Sequence, residues 1–256
     1  MNKKNTFLSS PFTGLFTLWS MFWFIGVFLL FYPFIFILLQ KLSYRKYAAK
    51  LVRIWSKCFF FFSFIRFEVK HHFVPDKKQN YVFCANHFSF LDIPVIVYLL
   101  EHYTSFVGKS SLGKLPLFGY MYARLNILVN RSDNASRAGS LSKALKALQS
   151  GRSIAIFPEG GIVSKKYPYM AKPLKDGALI MAIQQQIPLV PISLFNNYQI
   201  FSDKPLMIRP GVIRAEIHPP IITKGLTMDD VPMLREKLYH IIQDPILKYY
   251  SLDEPQ

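Results

Sequence analysis

YVFCANHFSFLDIP, residues 81–94, changes character twice in a short span. Tyr81–Ala85 is a continuous apolar run, which predicts a buried strand. Asn86, His87 and Ser89 break that run, and Pro94 suits the first turn of a helix. A strand, a polar turn and a helix in this order form the repeating unit of an α/β fold. His87 and Asp92 stand five residues apart. On one continuous helix they would diverge, but a turn carrying His87 before a helix starting near Asp92 can bring imidazole and carboxylate together. Such a pair fixes the tautomer and leaves the other ring nitrogen free as a base.

Outward from this stretch the pattern repeats. Further strands are expected at Ile65–Val69, Thr104–Val107, Ile127–Val129, Ser153–Phe157, Leu189–Leu194 and Val212–Ile217. Helices are expected near Leu115, from Asp133/Asn134 to the stop at Gly151, and over Gly177–Gln185. A last one follows the Thr227-x-x-Asp230 cap and ends near Pro245 or Tyr250. Strands separated by helices predict an α/β fold with a largely parallel or mixed sheet flanked by helices. In such sheets chemistry gathers beyond the carboxyl ends of the strands.

Two more strand ends carry unusual polar residues. In LNILVNR, Arg131 emerges just after a strand. In SIAIFPEGG, a strand ends in Pro158, Glu159, Gly160 and Gly161. Paired glycines there permit close backbone approach to a ligand, and exposed amides can hold an anion.

The order NHxxxxD, strand-terminal Arg, FPEG, then IPLVPIS (Ile187–Ser193) resembles the glycerolipid acyltransferases. Within them it is most similar to the 1-acyl-sn-glycerol-3-phosphate (lysophosphatidic acid) acyltransferases. The resemblance covers Glu68 to Pro220 and implies catalytic roles for His87, as general base on the acceptor hydroxyl, and Asp92, as its orienting partner. It implies that Asn86, Arg131, Pro158, Glu159, Gly160, Gly161, Lys165 and Pro191 face substrate. Arg131 would hold the lysolipid phosphate, Glu159 and Gly160 would shape the acceptor site, and Pro191 would help wall the acyl chain. The implied partners are a lysophospholipid acceptor, acyl-CoA or acyl-carrier protein as donor, and anionic membrane lipid, with no resident cofactor and no metal. A zinc site from His71, His72 and His87 lacks recognised ligand spacing. The chain departs from the family where Gly161 and Ile162 replace the usual Thr-Arg, and where Leu125 and Leu128 replace a glycine and an aromatic residue. Lys165 and Lys166 could restore the lost charge. Another lysolipid acceptor, such as a lyso-aminolipid, is the related alternative.

The N-terminal third supports a lipid setting. Asn5 to Gln40 carries no charged side chain, and Leu15 to Leu39 exceeds the ~20 residues a helix needs to cross hydrocarbon. Gly26 and Pro33 could break it into a re-entrant hairpin. Nine basic residues precede the first acidic one, Glu68. Lys46, Lys50, Arg53 and Lys57 recur at spacings of four, three and four, which predicts a cationic helical stripe beside lipid phosphates, with the neighbouring aromatics among acyl chains. Residues 1–64 are therefore expected to be membrane-anchoring helices and 65–256 an α/β acyltransferase domain. If the first helix crosses, the cations beyond it, against Lys3 and Lys4 before it, place that domain in the cytoplasm. Two cysteines exclude a disulfide framework. The net charge of +16 does not point to nucleic acid, because the cations flank an apolar run and no groove-reading motif accompanies them. The rival of another class is a non-catalytic scaffold that binds anionic lipid through its basic helix.

Overall fold

The computed structural model describes residues 11–203 and 205–253. Lys3 and Lys4 lie outside them. Helix α1 (Pro11–Leu39) turns through Gln40–Tyr44 into α2 (Arg45–Phe62). Then follow β1 (Ile65–His71), β2 (Val82–Ala85), α3 (Asp92–Leu99), β3 (Thr104–Lys109), α4 (Phe118–Leu125), β4 (Ile127–Val129), α5 (Asn134–Gln149) and β5 (Ser153–Ile156). The chain ends with α6 (Gly177–Gln185), β6 (Leu189–Leu194), α7 (Asn197–Ile200), β7 (Phe201–Asp203), β8 (Leu206–Ile208), β9 (Gly211–Ile217) and α8 (Val231–Tyr250).

Seven strands form one sheet in the order β1-β9-β6-β2-β5-β3-β4. β6, β2, β5, β3 and β4 run parallel; β9 is antiparallel to β6 and carries β1 parallel to itself. The sheet is therefore mixed but mostly parallel, flanked by helices. The central strands VFCA, SIAI and LVPISL are buried almost throughout, as a sheet covered on both faces requires. β9 instead alternates buried and half-buried residues. A small β7–β8 hairpin, outside the main sheet, is absent from the sequence-based expectation.

Pro191 sits inside β6, where a proline would ordinarily break a ladder. Its carbonyl faces β9 and accepts from the His218 N–H at 3.0 Å, just past the β9 end. The missing N–H points the same way, beyond the last residue of β9, so the ladder to β2 is left untouched.

α1 is continuous through Gly26 and Pro33, and it is long and apolar enough to cross a membrane. It nevertheless lies along the rest of the protein. The Thr17 hydroxyl accepts from the Ile208 N–H at 3.0 Å, and Trp23 stacks on Phe62 at 3.8 Å. Near its far end the Gln40 side chain donates to Tyr120 Oη at 2.8 Å. Leu15, Leu18, Phe22, Ile25 and Leu29 recur at three- and four-residue spacing and form an exposed face.

α2 departs from the expected lipid-facing helix. Trp55, Phe59 and Phe60 are buried against α1, α3 and β1 rather than presented outward. Each such ring removed from water contributes about 1.5–3 kcal/mol, so the hairpin partner claims them first. Arg53 also leaves the stripe, donating to the Tyr98 carbonyl and pairing with Glu101 at 3.0 Å. Lys46, Lys50 and Lys57 remain exposed.

Candidate active site

The parallel strands all end on one side, and the polar residues singled out in the sequence emerge there. After β2, Asn86 is fully buried; its amide donates to the Leu194 carbonyl and accepts from the Leu194 N–H, both at 2.8 Å. Asn86 thus ties the β2 end to the β6 end through both polar atoms of its amide. The next residue, His87, is aimed by that tie. His87 Nδ1 lies 2.9 Å from Asp92 Oδ2, and the ring stacks on Phe157 with centroids 4.0 Å apart.

Asp92 is 1% exposed, and both of its oxygens accept hydrogen bonds. Oδ2 also accepts from the Phe88 and Ser89 N–H groups at 2.8 and 2.9 Å, and Oδ1 accepts from Asn197 Nδ2 at 2.8 Å. An oxygen already accepting two amides must accept from the ring as well, so Nδ1 carries the proton. Nε2 is left as the lone-pair nitrogen, with no protein hydrogen bond among the described residues.

Glu159 is 3% exposed and bridges two loops. Oε1 accepts from the His87 N–H at 2.7 Å and Oε2 from the Ala171 N–H at 2.9 Å. Burial pushes its carboxyl up to about 8, opposed by the two amides and reinforced by the Asp92 charge. The unfolded chain releases this proton near 4.5, whereas the folded one holds it to about 8. Between those values the unfolded state binds fewer protons, so stability falls as pH rises. Chemical denaturation from pH 5 to 8 should show that decline, and Glu159→Gln should flatten it; an unchanged slope in the variant would assign the decline elsewhere.

Arg131 lies two residues beyond β4, with its guanidinium against the FPEGG loop. A Cβ at Gly161 would come within 2.8 Å of Arg131 Nη1. The departure from the family pattern at Gly161 therefore makes room for this arginine. Partial burial lowers the Arg131 pKa, and Tyr122 works against that shift. No carboxylate pairs with Arg131 among the described residues, which leaves it able to take an anion. Pro158 is buried, Gly160 turns the loop at φ 84°, and Lys165 and Lys166 are exposed on the segment beyond, Lys166 over the Tyr169 ring. Pro191 alternates along β6 with Ile192, which packs in the apolar core with Ala85, Ile96, Ala155 and Phe157. Pro191 therefore lies on the opposite face of the sheet from that cluster.

His71 ends β1 and His72 follows it, three strands from His87, so the histidine trio weighed in the sequence does not assemble. Sequence reasoning missed three residues near the site. Asn197 steers Asp92. Asp203 accepts from the Phe90 N–H at 3.4 Å and has its pKa raised chiefly by burial. Lys109 closes β3 opposite Val129, beside the strand that leads to Arg131. A lysine at a strand end was a signal available for Lys109. The other two depend on tertiary folding alone.

A family model described as acyltransferase matches residues 65–194. Human 1-acyl-sn-glycerol-3-phosphate acyltransferase alpha is 31% identical over 69% of this chain and 62% of its own length. The 1-acyl-sn-glycerol-3-phosphate acyltransferase of Helicobacter pylori J99 is 29% identical over 79% of this chain and 82% of its own. The chain thus spans about three fifths of the human relative. The crystal structure of the 1-acyl-sn-glycerophosphate (LPA) acyltransferase PlsC from Thermotoga maritima matches with a TM-score of 0.78, covering 96% of this chain and 99% of that one. At 22% identity that match speaks for the fold.

Proposed function

The chain belongs to the acyltransferase family, and from that membership we propose that it moves a fatty acyl group from a thioester donor to the free hydroxyl of 1-acylglycerol-3-phosphate, giving phosphatidic acid. The observation that carries this reading is the His87–Asp92 pair, held by four hydrogen bonds to Asp92 with Nε2 left open. The names of the relatives support the choice of acceptor.

In the proposed reaction His87 Nε2 takes the proton from the acceptor hydroxyl as its oxygen attacks the thioester carbonyl. Asp92 stabilises the imidazolium that forms. The tetrahedral intermediate collapses, the C–S bond breaks, and the imidazolium returns the proton to the departing thiolate of acyl-CoA or acyl-carrier protein. No acyl-enzyme forms: Cys84 is buried with its thiol pKa raised by burial, and neither cysteine contacts His87. Arg131 receives the acceptor phosphate, with Lys109 and Lys165 as further positive charge around it. No step in this scheme calls for a resident cofactor.

The same reading places the protein on a membrane surface. Because α1 packs along the domain for most of its length, its exposed face of Leu15, Leu18, Phe22, Ile25 and Leu29 would lie in the plane of the interface. Lys46, Lys50 and Lys57 would meet anionic headgroups on the cytoplasmic side. Holding enzyme and lysolipid on one surface supplies much of the proximity the reaction needs.

The test is direct. Purified protein in vesicles, given 1-acylglycerol-3-phosphate and labelled acyl donor, should yield labelled phosphatidic acid. Free fatty acid as the main product would overturn the reading in favour of hydrolysis, and binding without turnover would favour a scaffold. Arg131→Ala should raise KM for phosphate-bearing acceptors roughly ten- to hundredfold, the size of a lost charged hydrogen-bond pair, and leave the donor KM unchanged. Equal effects on both substrates would remove Arg131 from the acceptor site, and equal use of a lyso-aminolipid by the wild type would favour that acceptor class.

A further inference from the structure

Away from His87, on the β1–β9 side of the sheet, three metal-ligating side chains converge. Glu216 and His218 stand two residues apart at the end of β9, so strand alternation puts both on one face. β1 runs parallel to β9 with Lys70 opposite Glu216, and the His72 N–H donates to the Ile217 carbonyl at 3.0 Å, which continues the register and sets His72 beside His218. His72 Nε2 lies 3.1 Å from Glu216 Oε2, and the two imidazoles stack at 5.6 Å with an interplanar angle of 9°. One ligand atom from each of His72, Glu216 and His218 lies within 4.8 Å of the others.

Behind this trio His218 is braced. Ser193 Oγ donates to the Ile242 carbonyl at 2.8 Å and lies 2.8 Å from His218 Nε2. With its hydroxyl proton committed, Ser193 accepts from His218. The proton is therefore on Nε2, and Nδ1 keeps its lone pair. A histidine whose second nitrogen is fixed by a buried partner is the usual support for a metal ligand. His72 is exposed and Glu216 half-buried, so an ion has a way in from solvent. The competing group is Lys70, whose Nζ sits 3.6 Å from Glu216 Oε1 on a largely exposed side chain that can swing away.

We propose that His72, Glu216 and His218 form a site for a divalent transition ion of the zinc class, separate from the acyl-transfer chemistry. Two imidazoles and one carboxylate are a donor set that zinc accepts, with a fourth position for water. Bound there, the ion would clip β1 to β9 at the edge of the sheet, independently of the function proposed above.

The test uses full-length, untagged protein stripped with chelator and titrated with Co2+, then Zn2+. The expected result is one equivalent of Co2+ with visible ligand-field bands, displaced by Zn2+, and a Tm raised by roughly 5–10 °C at a hundredfold excess of Zn2+ over Kd. His72→Ala and Glu216→Gln should each lose the bands and the Tm rise while keeping the apo melting temperature and acyl-transfer activity. His71→Ala, altering the neighbouring histidine on the other face of β1, should bind as the wild type does. No saturable binding, or binding that survives His72→Ala, would overturn the site.

Discussion

Replacing His87 with alanine should cut turnover by roughly 10²–10⁴-fold, the contribution of a positioned general base, with little change in thermal stability. An alcohol is a poor nucleophile at neutral pH, and nothing else described near the site offers an unpaired basic nitrogen on an imidazole. The neighbouring carboxylates are already engaged: both oxygens of Glu159 accept backbone amides, and Asp203 accepts from the Phe90 N–H and sits on the β7–β8 hairpin. The ring also packs against Phe157, so a second variant, His87→Gln, keeps bulk in that space. Both variants should be equally inactive and near-normal in Tm. Turnover close to wild type in either would remove the imidazole from the chemistry.

Asp92→Asn should lower kcat by about 10²–10³-fold with little change in KM, for a reason particular to this geometry. In a triad where the carboxylate touches only the histidine, an asparagine can present its NH2 group and force the wrong tautomer. Here Asp92 Oδ2 also accepts from Phe88 and Ser89, so the asparagine oxygen must occupy that position and the ring keeps its proton on Nδ1. The new NH2 then faces Asn197, whose own Oδ1 is buried without a partner among the described residues and can accept after an amide flip. What is lost is the negative charge opposite the imidazolium. Kinetics on the purified variant, with a melting curve beside them, decide the matter: full activity would show that Asp92 only shapes the turn, and loss with a collapsed Tm would assign it to folding.

Much of this arrangement could be read from local pattern. Ile127–Val129 and Leu189–Leu194 have the bounds the sequence suggested: Asn126 and Asn130 bracket the first, and Pro188 opens the second. The meeting of His87 and Asp92 followed from a turn that a single helix could not supply. The rest is tertiary. The tie made by Asn86 was not legible, because nothing in its neighbourhood announces Leu194, 108 residues away, as the partner for both ends of its amide. Asn197 reaches Asp92 from 105 residues downstream. The aromatics of α2 had the composition of a lipid face, but pattern cannot distinguish acyl chains from a neighbouring apolar helix as the surface that covers them. Gly161 registered only as a departure from the family's motif; its backbone next to Arg131 gives that departure a physical reason.

Direct transfer from donor to acceptor, with no acylated protein between, is the most exposed part of the account. Intact-protein mass spectrometry after incubation with acyl thioester alone, followed by addition of lysolipid, addresses it in one experiment. Protein mass and donor should stay unchanged until the lysolipid arrives, and diacyl lipid should then form mole for mole with released thiol. A protein heavier by one acyl chain, or thioester consumed at the same rate without acceptor, would contradict it.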